Sequence, residues 1–231
     1  MTSLTEFHDT AKIDAETNLI KQFPLKIIKL HKILSSDNYD LKKLLHNDSE
    51  GLRSRINSEN CGDDEETKIQ KPSVKTTEES EKFFKLNKII TSFAEEIKPI
   101  ILECIDDVQM LQMWIQLNVP KIEDGNNFGV SIQEKVLEKL SEVESELLVR
   151  LDFFSEYHYY RAKLLAKYYK YPNVVDFKVS AIEYDQSIIV QIRGIVEDVR
   201  NYYAILHDIF LKNLVKLKKP RNDNGVSYAI S

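Results

Sequence analysis

Hydrophobic residues recur at every third or fourth position along most of this chain, which is the spacing of one face of an α-helix. Four stretches show the pattern, at residues 1–47, 81–119, 131–171 and 175–219. The fourth is the most regular, and its spacing is close to a heptad seam. The seam consists of Ile189, Ile192, Val196, Val199, Tyr203, Leu206, Phe210, Leu214 and Leu217. The pattern therefore predicts four helices.

Three residues interrupt these stretches without ending them. Pro24 predicts a kink or a restart of the first helix, because proline cannot donate the helical hydrogen bond. Pro99 predicts a kink rather than an end of the second helix, because the apolar stripe continues in phase. Gly194 indicates a position in the fourth helix where a neighbour comes close. The first stripe consists of Leu19, Ile20, Phe23, Ile27, Leu30 and either Ile33 or Leu34.

The lengths of the last two helices determine how they pack. Each covers about 40 residues, or about 60 Å at 1.5 Å per residue. The connections on either side of the third helix are short, so the long helices must lie antiparallel beside each other. Six glycines and six prolines in 231 residues are too few for an all-β chain. We therefore predict an all-α fold, an elongated antiparallel four-helix bundle in a single subunit.

The segment at residues 48–80 departs from the helical pattern. It is rich in serine, threonine, asparagine and acidic residues and has almost no large apolar side chains. Such a segment cannot bury enough apolar area to offset the entropy lost on ordering. We expect a disordered linker between the first and second helices.

Additional apolar residues lie beside the seams of the third and fourth helices. They are Leu137, Leu148, Val149, Phe153, Ile188, Val190, Ile195, Ile205 and Ile209. Leaving all of them in water would expose large apolar patches. The pattern therefore predicts lateral self-association of the subunit.

Bulk composition limits the compartment and the class of partner. The net charge is −5, and two cysteines are too few for a disulfide framework. Cys104 falls on an apolar stripe, and we expect it to be a small buried side chain rather than a nucleophile. No stretch reaches the roughly 18 apolar residues of a membrane span. We expect a soluble protein of the cytoplasm and/or nucleus without a membrane partner.

The sequence has no pattern typical of an enzyme. No two of the five histidines are four residues apart, and no CxxC, GxSxG, Walker or GxGxxG sequence occurs. We expect no catalytic residue, cofactor or metal. Two binding functions stay open: an oligomeric, coiled-coil-like helical adaptor, and a nucleic-acid-binding protein that uses the basic and aromatic residues at 156–171. The acidic net charge disfavours the second.

The sharpest break between helical stretches is KIEDGNNFGV at residues 121–130, which contains two of the six glycines. Pro120 precedes it and Ser131 opens the next helical stretch. Glycine and asparagine tolerate positive φ and close backbone approach, so the segment is typical of a shaped turn. Composition alone favours an ordinary helix connection over a contact site.

Residues 121–140, KIEDGNNFGVSIQEKVLEKL, strongly resemble the activation-loop signature of the 11S proteasome activators, the REG family. WIQLNVP at 114–120, RAKLLAKYYKYPNVVDF at 161–177 and NYYAILHDIFLKNLVKLKKPR at 201–221 also resemble the helix ends of this family. The similarity runs through about residues 84–221 and is greatest to the gamma branch.

This resemblance implies a four-helix subunit that assembles into a heptameric ring, here a homoheptamer. It implies that the ring docks on the α-subunit face of the 20S proteasome and opens its gate without ATP. Such an activator stimulates peptide hydrolysis and is not itself an enzyme.

The resemblance also implies two contact regions. The proteasome-activating loop comprises Lys121, Ile122, Glu123, Asp124, Gly125, Asn126, Asn127, Phe128 and Gly129. Asn126 takes the position of the family's critical asparagine, Gly125 and Gly129 permit the loop's shape, and Phe128 anchors the loop to the bundle. Lys121 stands where mammalian members have arginine.

The second contact region is a flexible C-terminal tail at residues 222–231. Its proteasome-binding residues are Val226, Ser227, Tyr228, Ala229, Ile230 and Ser231. Family tails end in tyrosine, whereas this one ends in Ala-Ile-Ser. Lys163 takes a gamma-branch position that faces the channel of the ring.

Overall fold

The computed structural model describes residues 3–43, 87–125 and 127–221. Its elements are α1 (Leu4–Thr17), a π-helical turn (Asn18–Gln22), α2 (Phe23–Leu34), a 3₁₀ turn (Asp37–Tyr39), α3 (Lys88–Gln116), α4 (Phe128–Lys170) and α5 (Val175–Lys218). All elements of these residues are helical, which confirms the all-α class. The expected linker at 48–80 and tail at 222–231 lie outside the described residues.

Among residues 3–43 the first stretch forms two helices rather than one, and α2 ends at Leu34. A π-helical turn separates α1 from α2 and ends at Gln22, two residues before Pro24. Since Pro24 has no amide hydrogen, the regular helical ladder cannot continue through it, and the chain widens before α2 starts. Of the consecutive residues Leu19 and Ile20, only Leu19 is buried, so the placement of Ile20 in the stripe was wrong.

The end of α2 is shaped by polar contacts. Helix α2 ends at Leu34, where a serine- and aspartate-rich turn begins. The guanidinium of Arg193 donates hydrogen bonds to the carbonyls of Leu34 and Tyr39, at 3.0 and 2.9 Å. These bonds satisfy one backbone acceptor at the end of α2 and one at the end of the 3₁₀ turn, where helical partners are missing.

Contacts divide the chain into two units. The first contains the described parts of Met1–Lys32, Ile97–Phe153 and Ile195–Ser231. Within it α4 and α5 run antiparallel, since Arg150 pairs with Asp198 at 2.9 Å and Tyr202 donates to Glu146. Its fully buried residues include Phe23, Ile97, Ile101, Cys104, Val108, Leu140, Leu147, Val196, Val199, Leu206 and Phe210. Burial raises the pKa of the Cys104 thiol to about 12, as expected for a core residue.

A buried carboxylate lies within this first core. Asp107 is only 4% exposed and accepts hydrogen bonds from Asn18 at 2.5 Å, Lys26 at 2.5 Å and Tyr203 at 2.7 Å. Burial lowers the pKa of Lys26, but its bonds to Asp107 and Glu103 outweigh this and raise it. Hydrogen bonds to the Asp107 carboxylate therefore join the π-helical turn, α2 and α5 to α3.

The second unit contains the described parts of Ile33–Glu96 and Phe154–Gly194. Its core also includes a buried carboxylate, because Asp185 accepts from Arg161 at 3.0 Å, Tyr157 at 2.9 Å and Asn87 at 3.2 Å. The Asn87 side chain also accepts from the amide of Ile89 at 3.1 Å. Asn87 thus caps α3, which is described from Lys88 rather than from residue 81.

The long helices differ from their predicted bounds by a few residues. Helix α3 continues through Pro99 and ends at Gln116 instead of residue 119. The chain turns at Leu117 and Asn118 before Pro120, because a residue that precedes proline is disfavoured in the helical conformation. No helix of the described residues is both long and apolar enough to cross a membrane.

The apolar residues beside the seams fall into three groups, which are buried, exposed and half-buried. Ile188 and Ile195 are buried in the core of the subunit, so their assignment to an outer face was wrong. The exposed members are Leu148, Val149, Val190 and Ile205, and the half-buried ones are Leu137, Phe153 and Ile209. The exposed group is the part of the pattern that stays available for self-association.

Two glycines within the long helices have opposite surroundings. A Cβ added at Gly129, in the first turn of α4, would lie 2.0 Å from the carbonyl oxygen of Pro220. The backbone that follows α5 thus crosses directly over α4, and only glycine permits this approach. A Cβ at Gly194 would meet nothing within 4 Å among the described residues. The described residues of the subunit therefore do not include the close neighbour predicted at Gly194.

This contrast predicts opposite effects of the same substitution. Gly129→Ala forces the Pro220 backbone away and should lower the free energy of unfolding by about 1–3 kcal/mol. Gly194→Ala adds a good helix former in open space and should raise it by about 0.5–1 kcal/mol. Urea unfolding followed by circular dichroism, at one protein concentration, measures both. Equal shifts of the two variants would contradict the close contact.

Asp107→Ala leaves Lys26 and Tyr203 without their buried acceptor and should lower the free energy of unfolding by about 3–5 kcal/mol. The neighbouring Asp106 is exposed, so Asp106→Ala is the matched control and should change it by no more than about 0.5 kcal/mol. The same urea titration tests the pair, and a difference below 1 kcal/mol between the variants would show that the cluster does not stabilise the core.

Candidate functional site

The candidate site is the connection between α3 and α4. Residues 121–125 are all exposed, and Ile122 is completely so. Gly125 has a φ of 83°, a left-handed conformation that favours glycine over residues with a side chain. Asn126 lies outside the described residues. The connection therefore presents polar backbone and side-chain groups to solvent, where a partner protein can contact them.

Helix α4 begins three residues earlier than predicted, at Phe128. The carbonyl of Asn127 accepts the first helical bond, from the amide of Ser131 at 2.9 Å. Gly129 and Gln133 are buried and lie four residues apart, so they form the inward face of this first turn. Phe128 lies off that face and is 70% exposed. Its predicted role as an anchor to the bundle was wrong.

The side chain of Gln133 joins the end of α3 and the end of α5 to the start of α4. It is fully buried, and its amide nitrogen donates to the carbonyls of Asn118 at 3.1 Å and Leu217 at 2.9 Å. Asn118 follows the end of α3 and Leu217 lies in the last turn of α5. Helix ends leave such carbonyls without helical partners. One amide group therefore joins both helix ends to α4.

Arg221 binds the connection from the other side. One guanidinium nitrogen donates to the carbonyl of Lys121 at 2.7 Å and to the Glu123 carboxylate at 3.1 Å. The second nitrogen donates to the carbonyl of Glu123 at 3.3 Å and to the side-chain oxygen of Asn127 at 2.8 Å. The Arg221 side chain is only 19% exposed. A single side chain thus ties both arms of the loop to the chain that follows α5.

Sequence reasoning missed Gln133 and Arg221. Basic residues near the end of a helix are ordinarily interpreted as charges favoured at its C-terminus. That interpretation does not apply to Arg221, because α5 ends at Lys218. The available signal was an arginine placed directly after the proline that stops the helix. Nothing in the periodic pattern distinguishes Gln133 from an exposed glutamine.

The other predicted site residues lie elsewhere. Val226 to Ser231 are outside the described residues, and Lys163 belongs to the second unit. The ammonium of Lys163 lies 4.1 Å from the ring centroid of Tyr159 and 5.6 Å from that of Tyr160, within the range of cation–π attraction. The channel-facing assignment of Lys163 stays a prediction.

The chain is similar to known proteins over nearly its whole length. It is 35% identical over 222 residues to the Proteasome activator complex subunit 3 of Gallus gallus, covering 96% of this chain and 80% of that protein. The fold is also similar to the crystal structure of the 11S subunit of the Plasmodium falciparum proteasome, PA28, with a TM-score of 0.73. The two sequences are 29% identical, and the match covers 94% of this chain and 92% of that one.

A solved proteasome–11S activator complex includes a chain of the same fold. It matches with a TM-score of 0.66 at 12% identity, covering 96% of this chain and 93% of that one. The family model described as "Proteasome activator PA28, C-terminal" matches residues 83–227, which include α3, the loop, α4 and α5. The chain therefore belongs to the PA28 family of proteasome activators.

Proposed function

We propose that this protein is a non-catalytic, ATP-independent activator of the 20S proteasome. The observation that carries the proposal is the family match across residues 83–227, which includes the exposed loop. The relative in Gallus gallus is named as a proteasome activator subunit, and the solved complex pairs an 11S activator with a proteasome. The loop's exposure and its fixed ends support a role as a contact surface.

The proposed mechanism begins with the loop. Its residues from Lys121 to Gly129 meet the α-subunit face of the proteasome, and Asn126 makes the decisive contact because its amide can both donate and accept. A gate shifts toward open only if the loop binds the open state more tightly than the closed one. The bonds from Gln133 and Arg221 hold the loop before docking, which lowers the entropy lost on binding.

Docking itself is assigned to the tails. We infer a homoheptameric ring, and the exposed Leu148, Val149, Val190 and Ile205 support self-association because such side chains gain by leaving water. Seven tails that each bind weakly reach an avidity of about 10²–10⁴ beyond one tail. The residues from Val226 to Ser231 supply the contact. We place the protein in the cytoplasm, the nucleus or both, where proteins with few cysteines and no disulfide framework are common.

Asn126→Tyr should abolish stimulation of peptide hydrolysis while leaving docking intact, because it replaces the amide of the loop and leaves the tail unchanged. Hydrolysis of fluorogenic peptides by 20S proteasome measures stimulation, and co-sedimentation measures docking. Light scattering should give the mass of seven subunits for parent and variant.

The matched control is Asn201→Tyr, the same exchange at an exposed position of α5 whose side chain accepts from the adjacent Arg200. It should stimulate as the parent does. Normal stimulation by Asn126→Tyr at saturating activator would show that the loop is not the activating element.

Deleting residues 226–231 should abolish co-sedimentation with the 20S proteasome, because avidity is lost when every tail is shortened. A variant with the same six residues in scrambled order keeps the length and should also fail to dock. Undiminished co-sedimentation of both variants would contradict the assignment of docking to the tail.

A further inference from the structure

We propose that Arg221 is a positioning residue that couples the C-terminal tail to the loop, an inference that rests on the proposed function. The tail starts at residue 222, directly after the side chain that binds Lys121, Glu123 and Asn127. Docking through the tail and gate opening through the loop are then linked by one guanidinium.

The contact geometry connects the two arms of the loop. Arg221 reaches the backbone of Lys121 and Glu123 on the arm that follows α3, and the side chain of Asn127 on the arm that enters α4. Asn126 lies between these contacts in the chain. Fixing residues on both sides of position 126 restricts the paths that its backbone can take. The bonds therefore hold the described residues on both sides of position 126, to which the gate contact is assigned.

The backbone around Arg221 has little freedom to move alone. Pro220 lies directly over Gly129, where no Cβ would fit, and the carbonyl of Leu217 is bound by the buried Gln133. A displacement of the chain after α5 therefore acts on the first turn of α4 and, through Arg221, on the loop. Packed interfaces of this kind transmit displacement because they lack voids.

The chemistry of the site requires arginine and not only a positive charge. Two guanidinium nitrogens serve four acceptors that lie on three residues of the loop. A planar fork of donors can span these positions, whereas the single ammonium of lysine cannot. Arg221→Lys keeps the charge and removes the span. The substitutions Arg221→Ala and Arg221→Lys should therefore lower maximal stimulation to a similar degree.

The coupling has a thermodynamic consequence. If a docked tail favours the bound arrangement of the loop, then that arrangement favours docking by the same free energy. Loss of Arg221 removes the link but neither of the contact regions. Stimulation at saturating activator should fall, while the tails remain able to reach the proteasome.

The experiment titrates the ring into 20S proteasome and follows fluorogenic peptide hydrolysis, so that maximal stimulation is separated from the half-saturating concentration. Arg221→Ala and Arg221→Lys should lower the maximum at least about fivefold, the lower end of typical coupling factors. The control Lys212→Ala removes a charge that pairs with Asp208 within the same helix and should match the parent. Light scattering verifies that each ring is intact.

An Arg221 variant that reaches the parent's maximal stimulation, but at a different half-saturating concentration, would overturn the proposal. Such a result would mean that Arg221 only supports docking by the tail. A parent that fails to stimulate refutes the proposed function instead. In that case hydrogen exchange of the loop amides in the ring alone still decides the positioning role. Exchange at residues 121–127 should be at least about fivefold faster in Arg221→Ala than in Lys212→Ala, and equal rates would overturn the inference.

A variant on the loop side tests the same contact if Arg221→Ala does not assemble into a ring. Asn127→Ala removes one partner of the guanidinium and keeps Arg221. Asn127→Ala should lower maximal stimulation, as the Arg221 substitutions do. The double variant Asn127→Ala/Arg221→Lys should lower it by a factor smaller than the product of the factors for the two single variants. Independent, multiplying effects would show that the two residues do not act through one contact.

Discussion

The arrangement of the loop depends on a general constraint on helix ends. The last carbonyls of a helix have no partner within it, and α3 and α5 both end beside the first turns of α4. The buried amide of Gln133 satisfies one carbonyl from each end. Removing it would leave the buried Leu217 carbonyl unpaired and would take this partner from the part-buried Asn118 carbonyl. An unpaired buried acceptor costs more than its bond contributes when formed. The positions of Gly129, Pro220 and Arg221 follow from this junction.

Each unit also contains a carboxylate that is buried and fully engaged. Asp107 accepts from three side chains in the first unit, and Asp185 does the same in the second. Apolar packing tolerates small shifts along a helix, whereas a buried charge loses its partners when the helix slides by one turn. These clusters therefore specify the register of helices that are otherwise held by repeated, similar apolar contacts.

Much of the fold was predictable because helical burial leaves a periodic signal. The stripe of α5 placed Val199, Leu206 and Phe210 in the core, where they are fully buried. The errors occurred where position depends on a neighbouring element. The family resemblance implied that Phe128 anchors the loop to the bundle, yet the inward face at the start of α4 belongs to Gly129 and Gln133. A stripe identifies the apolar face of a helix but not which residues of a flanking turn join it.

The amino-acid sequence by itself determined the helical class, the place of the loop and the family, because periodicity and a specific motif are local properties. It also determined that Gly125 could take a positive φ. Only the tertiary structure decided that Arg221 binds the loop, because that contact joins residues about 100 positions apart. The tight crossing at Gly129 is likewise a property of two distant segments, and no local pattern encodes their distance.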